Sequence, residues 1–192
     1  MDTTAQIIKD LGLHLFKAVC QKDEEFAFIS ETPNNELDID SKSYFCVVTA
    51  GSFLSENENR DDMTFKPTKR RVADGMVLPG QNKFKALEDN SVYYCLSVLP
   101  SRFSRDFHAM YKLKHEYLEA GQSITVQFVD NDLAMFSLGI TGEAVITDGA
   151  NVTQTTLEDG QRLMVPDNGS IVFTATMAGH IVVGKRKFMP AS

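Results

Sequence analysis

At 192 residues, 43% hydrophobic and 23% charged, the chain carries enough apolar content for a packed core and too much for a disordered segment. Its net charge of −7 repels phosphate backbones and argues against a nucleic-acid partner. No apolar run approaches the roughly eighteen residues of a membrane span, so no membrane partner is expected.

Near the N-terminus, Ile8, Leu11, Leu15 and Val19 recur at helical spacing behind Asp2, Thr3 and Thr4 as capping residues. This predicts a helix from about Thr4 to Cys20, with Ile7 and Phe16 widening its apolar stripe. The same run carries acid where a secretory signal carries base. The chain is therefore expected in the cytoplasm or in a virion-type assembly rather than exported by a signal peptide. From Asp23 to Asp40 carboxylates accumulate without Lys or Arg, but they lack the Asp-x-Asp-x-Asp-Gly spacing that closes around calcium.

Beyond this point the chain reads as strands. "SYFCVVTAGSFL", "RVADGMVLP", "NKFKAL" and "SVYYCLSVL" fill the first half. "QSITVQFV", "LAMFSLGITGEAVI", "TQTTLEDGQRLMVP", "SIVFTATM" and "HIVVGKRKF" fill the second. Short runs rich in Val, Ile, Thr, Phe and Tyr, punctuated by Gly, Asn, Asp and Pro, predict antiparallel sandwiches or barrels. "PSRFSRDFHAM" breaks the pattern and reads as a crossover. The halves also resemble each other: Thr49–Phe53 can be laid on Ile140–Ala144, and Asp74-Gly75 and Pro79 on Asp159-Gly160 and Pro166. The expected organisation is a helix over 1–22, a first barrel over 23–100, and a crossover plus second barrel over 101–192. Cys20, Cys46 and Cys95 have neither metal nor redox spacing and read as small buried apolar residues.

The run from Leu133 to Phe188, with "VTQTTLEDGQRLMVP" followed by two apolar strands, resembles the cupin superfamily of small jelly-roll barrels, often found as tandem pairs. Within it, Val47–Gly51, Leu78–Phe84 and Tyr93–Leu96 are similar to the strand order of the small pyrimidine/purine nucleoside phosphorylase family. The fold class implied is mainly β, two cupin-like jelly rolls in tandem. The usual cupin metal set of histidines and a glutamate would fall at Gln127, Val129, Leu133 or Ala134, and Ile171 or Val172. None of these residues is a ligand, so metal-free barrels are expected, with no cofactor.

His14, His108, His115 and His180 read as surface or partly buried polar residues; His115 has Glu116 and Glu119 nearby in sequence. No serine stands in a Gly-x-Ser-x-Gly elbow. Two basic clusters, Lys66, Lys69, Arg70, Arg71 and Lys185, Arg186, Lys187, read as charged edges. Phe84, Tyr93 and Tyr94 offer a stacking platform or core residues. Two function classes follow. The first is a non-catalytic, oligomer-forming structural or binding module, of the kind used in coat and decoration proteins, with a homo-oligomer or protein assembly as partner. The resemblance implies the second, an enzyme splitting nucleosides with phosphate, for which Arg70, Arg71 and Glu88 would be the catalytic residues. The first is expected because no polar constellation recurs in both halves.

Overall fold

The computed structural model describes residues 4–10, 13–29, 45–57, 60–69, 81–98, 107–127, 133–165 and 168–190, and every regular element among them is a β-strand. The chain divides into two compact units, Met1–Ser101 and Arg102–Ser192. The first holds β1 (Thr4–Asp10), β2 (Leu13–Cys20), β3 (Glu25–Ile29), β4 (Phe45–Ala50), β5 (Phe53–Asn57), β6 (Arg60–Phe65), β7 (Gln81–Ala86) and β8 (Ser91–Val98). The second holds β9 (Phe107–Leu118), β10 (Ser123–Gln127), β11 (Leu133–Leu138) and β12 (Thr141–Asp148). It continues with β13 (Asn151–Leu157), β14 (Arg162–Val165), β15 (Gly169–Met177) and β16 (Gly179–Pro190).

Each unit is a jelly roll of two four-stranded sheets. In the first, the sheet orders are β1-β2-β8-β4 and β3-β7-β5-β6; in the second, β14-β11-β16-β9 and β10-β15-β12-β13. All their pairings are antiparallel. The run β3-β7-β5-β6 corresponds strand for strand to β10-β15-β12-β13, and β2-β8-β4 to β9-β16-β11. The internal repeat is therefore one topology used twice. Its register differs from the sequence match: Gly51, which follows β4 at φ +65°, corresponds to Gly139, which follows β11 at φ +74°. Asp74-Gly75, Pro79 and Pro166 lie outside the described residues.

The expected N-terminal helix is corrected to a hairpin. β1 pairs with β2 from Thr4↔Val19 to Asp10↔Leu13, and β2 pairs on its other side with β8. Leu15 on one face of β2 and Ala18 and Cys20 on the other are all buried. A strand with apolar residues on both faces loses the alternation that marks a half-buried strand, and its apolar positions can then fall at helical spacing.

A turn of one design recurs at three corners where the chain passes from one sheet to the facing one. It is built by Gln21-Lys22-Asp23-Glu24, Glu119-Ala120-Gly121-Gln122 and Glu158-Asp159-Gly160-Gln161. In each, the fourth N–H donates to the first carbonyl at 3.0 Å. The fourth side chain turns back to accept from the first N–H: Glu24 at 2.8 Å, Gln122 at 2.9 Å and Gln161 at 3.1 Å. The third residue is left-handed, at φ +66° for Asp23, +84° for Gly121 and +76° for Gly160. Its N–H reaches a strand carbonyl, of Ala86, Ala175 and Ser137 respectively. Each of those residues donates its own N–H back to the fourth carbonyl. Glycine meets the left-handed requirement without strain, and aspartate is among the few other residues that tolerate it.

These corners set which side chains face inward. The first barrel is filled by aromatic rings: Phe53 and Tyr93 meet edge-on at 5.9 Å, Phe84 and Tyr93 at 5.0 Å, Phe65 and Phe84 at 6.4 Å. Each such pair contributes about 0.5–1.5 kcal/mol beyond its buried area. The second barrel is filled by aliphatic residues around Phe173, among them Ile124, Met135, Leu157, Ile171, Ile181 and Val183.

Two glycines separate conformation from space. Gly121→Ala puts a Cβ into open space at φ +84°, and is expected to lose about 1–2 kcal/mol for the left-handed backbone alone. Gly51→Ala, at φ +65°, also drives its Cβ into Ser91, and overpacking is expected to add about 1–3 kcal/mol. Urea unfolding of both variants measures the difference.

Candidate functional site

The inside of the second barrel is where a ligand set would have to converge, and its positions are apolar. β10 turns Ile124 and Val126 inward, while Gln127 is exposed. Ile171 lies in the core, whereas Val172 points outward and is 38% exposed. Met135 of β11 faces the interior, so its neighbour Ala134 is buried on the opposite face. Val129 lies outside the described residues. The one hydroxyl on the inner side of β11, Ser137, is fully buried and donates to the Glu158 carbonyl at the third corner, so it serves the turn. Among the described residues, no group of three His, Cys, Asp or Glu side chains is gathered as metal ligands.

Two of the four histidines meet. Antiparallel pairing sets His115 opposite Val182 and His180 opposite Tyr117. His115 Nε2 and His180 Nδ1 stand 2.8 Å apart, with the rings stacked at 5.0 Å and Tyr117 edge-on to His180 at 5.1 Å. One nitrogen carries the proton and the other accepts it. His180 is 3% exposed and is the second residue of β16, so the expected surface or partly buried position is corrected to a buried one. Its neighbour Ile181 lines the barrel, which places the histidine pair on the outer face of the sheet, away from the interior where a cupin-type ion would sit. Glu116, between His115 and Tyr117 on β9, points to the other face and pairs with Lys114 at 3.0 Å. His115 and Glu116 therefore do not converge. Sequence reasoning missed the histidine pair because it depends on the register of β9 with β16.

Of the residues proposed for phosphorolysis, Arg70 and Arg71 lie outside the described residues. Glu88 is exposed on the turn between β7 and β8, and its Oε1 accepts from Ser52 Oγ at 2.6 Å. Ser91 Oγ donates to the Glu88 carbonyl at 2.7 Å, and the Ser52 N–H donates to Ser91 Oγ at 3.2 Å. These bonds join the ends of two strand connections and give Glu88 a bracing role. Phe84, Tyr93 and Tyr94 are completely buried, so they form core and no stacking platform. Lys17 instead lies over the Tyr94 ring at 5.3 Å, a cation–π contact across β2 and β8.

Cys20 ends β2 just before the first corner and is fully buried. Desolvation, helped by the Glu24 carboxylate, pushes its thiol up to about 11 from the ordinary 9.0. The folded state thus holds the neutral thiol. Its contribution to stability is complete below pH 9.0 and is lost as pH climbs from 9.0 to about 11, because the unfolded chain ionises first. Iodoacetamide at pH 8 is expected to leave Cys20 unmodified in the folded protein and to label it in urea, as peptide mass spectrometry would show.

No protein-family model and no curated protein matches the chain. Solved structures do. Procruciferin, an 11S globulin from Brassica napus, superposes at a TM-score of 0.57 with 7% identity, over 93% of this chain and 78% of that one. A cupin 2 conserved barrel domain protein from Leptotrichia buccalis gives 0.53 at 12% identity, over 97% and 89%. AerE from Microcystis aeruginosa gives 0.53 at 9% identity, over 96% and 91%. Identities this low speak to architecture alone, and the architecture is that of two cupin barrels in tandem.

Proposed function

We propose that the protein is a non-catalytic, oligomer-forming structural or binding module whose barrels act as rigid supports for their outer faces. One observation carries this reading: the space in which a barrel enzyme assembles its polar groups is filled here, by aromatic rings in one unit and aliphatic side chains in the other. Among the described residues the interior is mainly apolar, with hydroxyls such as those of Tyr93 and Ser55 as its buried polar groups, and close packing of this kind leaves little room to orient a substrate. The polar groups brought together instead brace turns, as Ser52, Glu88 and Ser91 do.

The full-length protein, expressed with zinc, iron, manganese and nickel in the medium, is expected to carry well below one equivalent of any of them by elemental analysis. Incubated with purine and pyrimidine nucleosides and phosphate, it is expected to release no free base above the buffer control. Sedimentation at micromolar concentration is expected to give an oligomer. A stoichiometric metal or catalytic base release would overturn the non-catalytic reading, and a monomer the assembly reading.

A further inference from the structure

Resting on the assembly reading, we infer that β13 is the joining edge, and that it pairs with β13 of a second copy of this chain. β13 ends the sheet order β10-β15-β12-β13, with no further strand beside it among the described residues. Its residues from Asn151 to Gln154 are exposed, and Val152 is 68% exposed. An open edge of this kind is a template for another strand unless it is blunted by charge, proline or a bulge. "NVTQTTL" has no charge and no proline, and its pairing with β12 is regular from Gly142↔Leu157 to Asp148↔Asn151.

The duplicated fold supplies an internal control. β6 ends the corresponding sheet of the first unit, and it is blunted: "RDDMTF" carries Arg60, Asp61 and Asp62, and its pairing with β5 shifts register between Ser55 and Asn57. The same edge of the same fold is thus protected in one copy and left open in the other.

A second copy fits this edge better than an unrelated partner. The loop Gly149-Ala150, with Gly149 at φ +56°, closes a two-residue hairpin in which Asp148 and Asn151 are the hydrogen-bonded pair. Alternation along the ladder then leaves the backbone groups of Val152, Gln154 and Thr156 directed away from β12. An antiparallel copy centred on Gln154 sets Gln154 opposite itself and Val152 opposite the second copy's Thr156. All three outward-directed residues are then in hydrogen-bonding register, and the ladder gains about six bonds. A β-branched residue covers the most exposed valine. Charge also permits it. In a chain of net charge −7, β13 itself carries no carboxylate, and Glu143, reached by Gln154 Nε2 at 3.3 Å, lies one strand back from the edge. The two four-stranded sheets become one sheet of eight, closed by a two-fold axis.

The test uses the full-length chain with three substitutions. Gln154→Lys sets two ammonium groups face to face on the axis and is expected to convert the wild-type dimer to monomer in sedimentation at low salt. Thr64→Lys, on the corresponding edge of the first unit, is expected to leave the dimer intact. Gln154→Cys brings two Cα atoms to about 5.5 Å, within the range of a disulfide, and mild oxidation is expected to yield a covalent dimer whose crosslinked peptide maps to position 154. A wild-type dimer that survives Gln154→Lys and forms no crosslink at position 154 would overturn the strand pairing and leave the assembly reading standing. A monomeric wild type would overturn both.

Discussion

Everything in this fold depends on how the backbone turns the corner between two facing sheets. At that point the chain has left one ladder and not yet joined the next, and its N–H and C=O groups need partners in a crowded place. The three four-residue corners supply them with the same set of bonds: a closed turn, a side chain returning to the first N–H, and a reciprocal pair to a strand. Because strand side chains alternate, a corner displaced by one residue would exchange the inward and outward sets throughout the following strand. Ile124 and Val126 line the second barrel, and Gln127 does not, because the Glu119–Gln122 corner fixes where β10 begins.

The apolar interior follows from that register. Inward positions hold Ile171, Ile181 and Met135, which join one apolar cluster. The His115–His180 contact lies on the outer face, and Ser137 is used by a turn. On the proposed reading, function lies at surfaces and edges, where the two units differ: charged at β6, uncharged at β13.

Much of this was legible in the sequence. Segments such as "SIVFTATM" and "HIVVGKRKF" announce strands by composition, and the repeated order of Gly turns and apolar runs carries the tandem barrel. The N-terminal hairpin was not legible, because burial of Leu15 on one face of β2 and Ala18 on the other erases the alternation that would distinguish strand from helix. The histidine contact was hidden for a different reason: its partners are 65 residues apart and meet only through the pairing of β9 with β16. The corners did leave a signal. "QKDE", "EAGQ" and "EDGQ" share an acid or amide at the first and fourth places and a turn-forming residue at the third. Asp159-Gly160 marks one corner by its Asp-Gly pair, whereas Gln21–Glu24 has no glycine and Asp23 takes its place.

Those corners draw nearly all their bonds from the main chain and require only a permissive third residue and a carboxylate or amide at the fourth. Such a loose demand leaves almost every other letter free to drift. Sequences can differ widely while the geometry persists, and barrels sharing 7–12% of their residues superpose over more than nine-tenths of this chain.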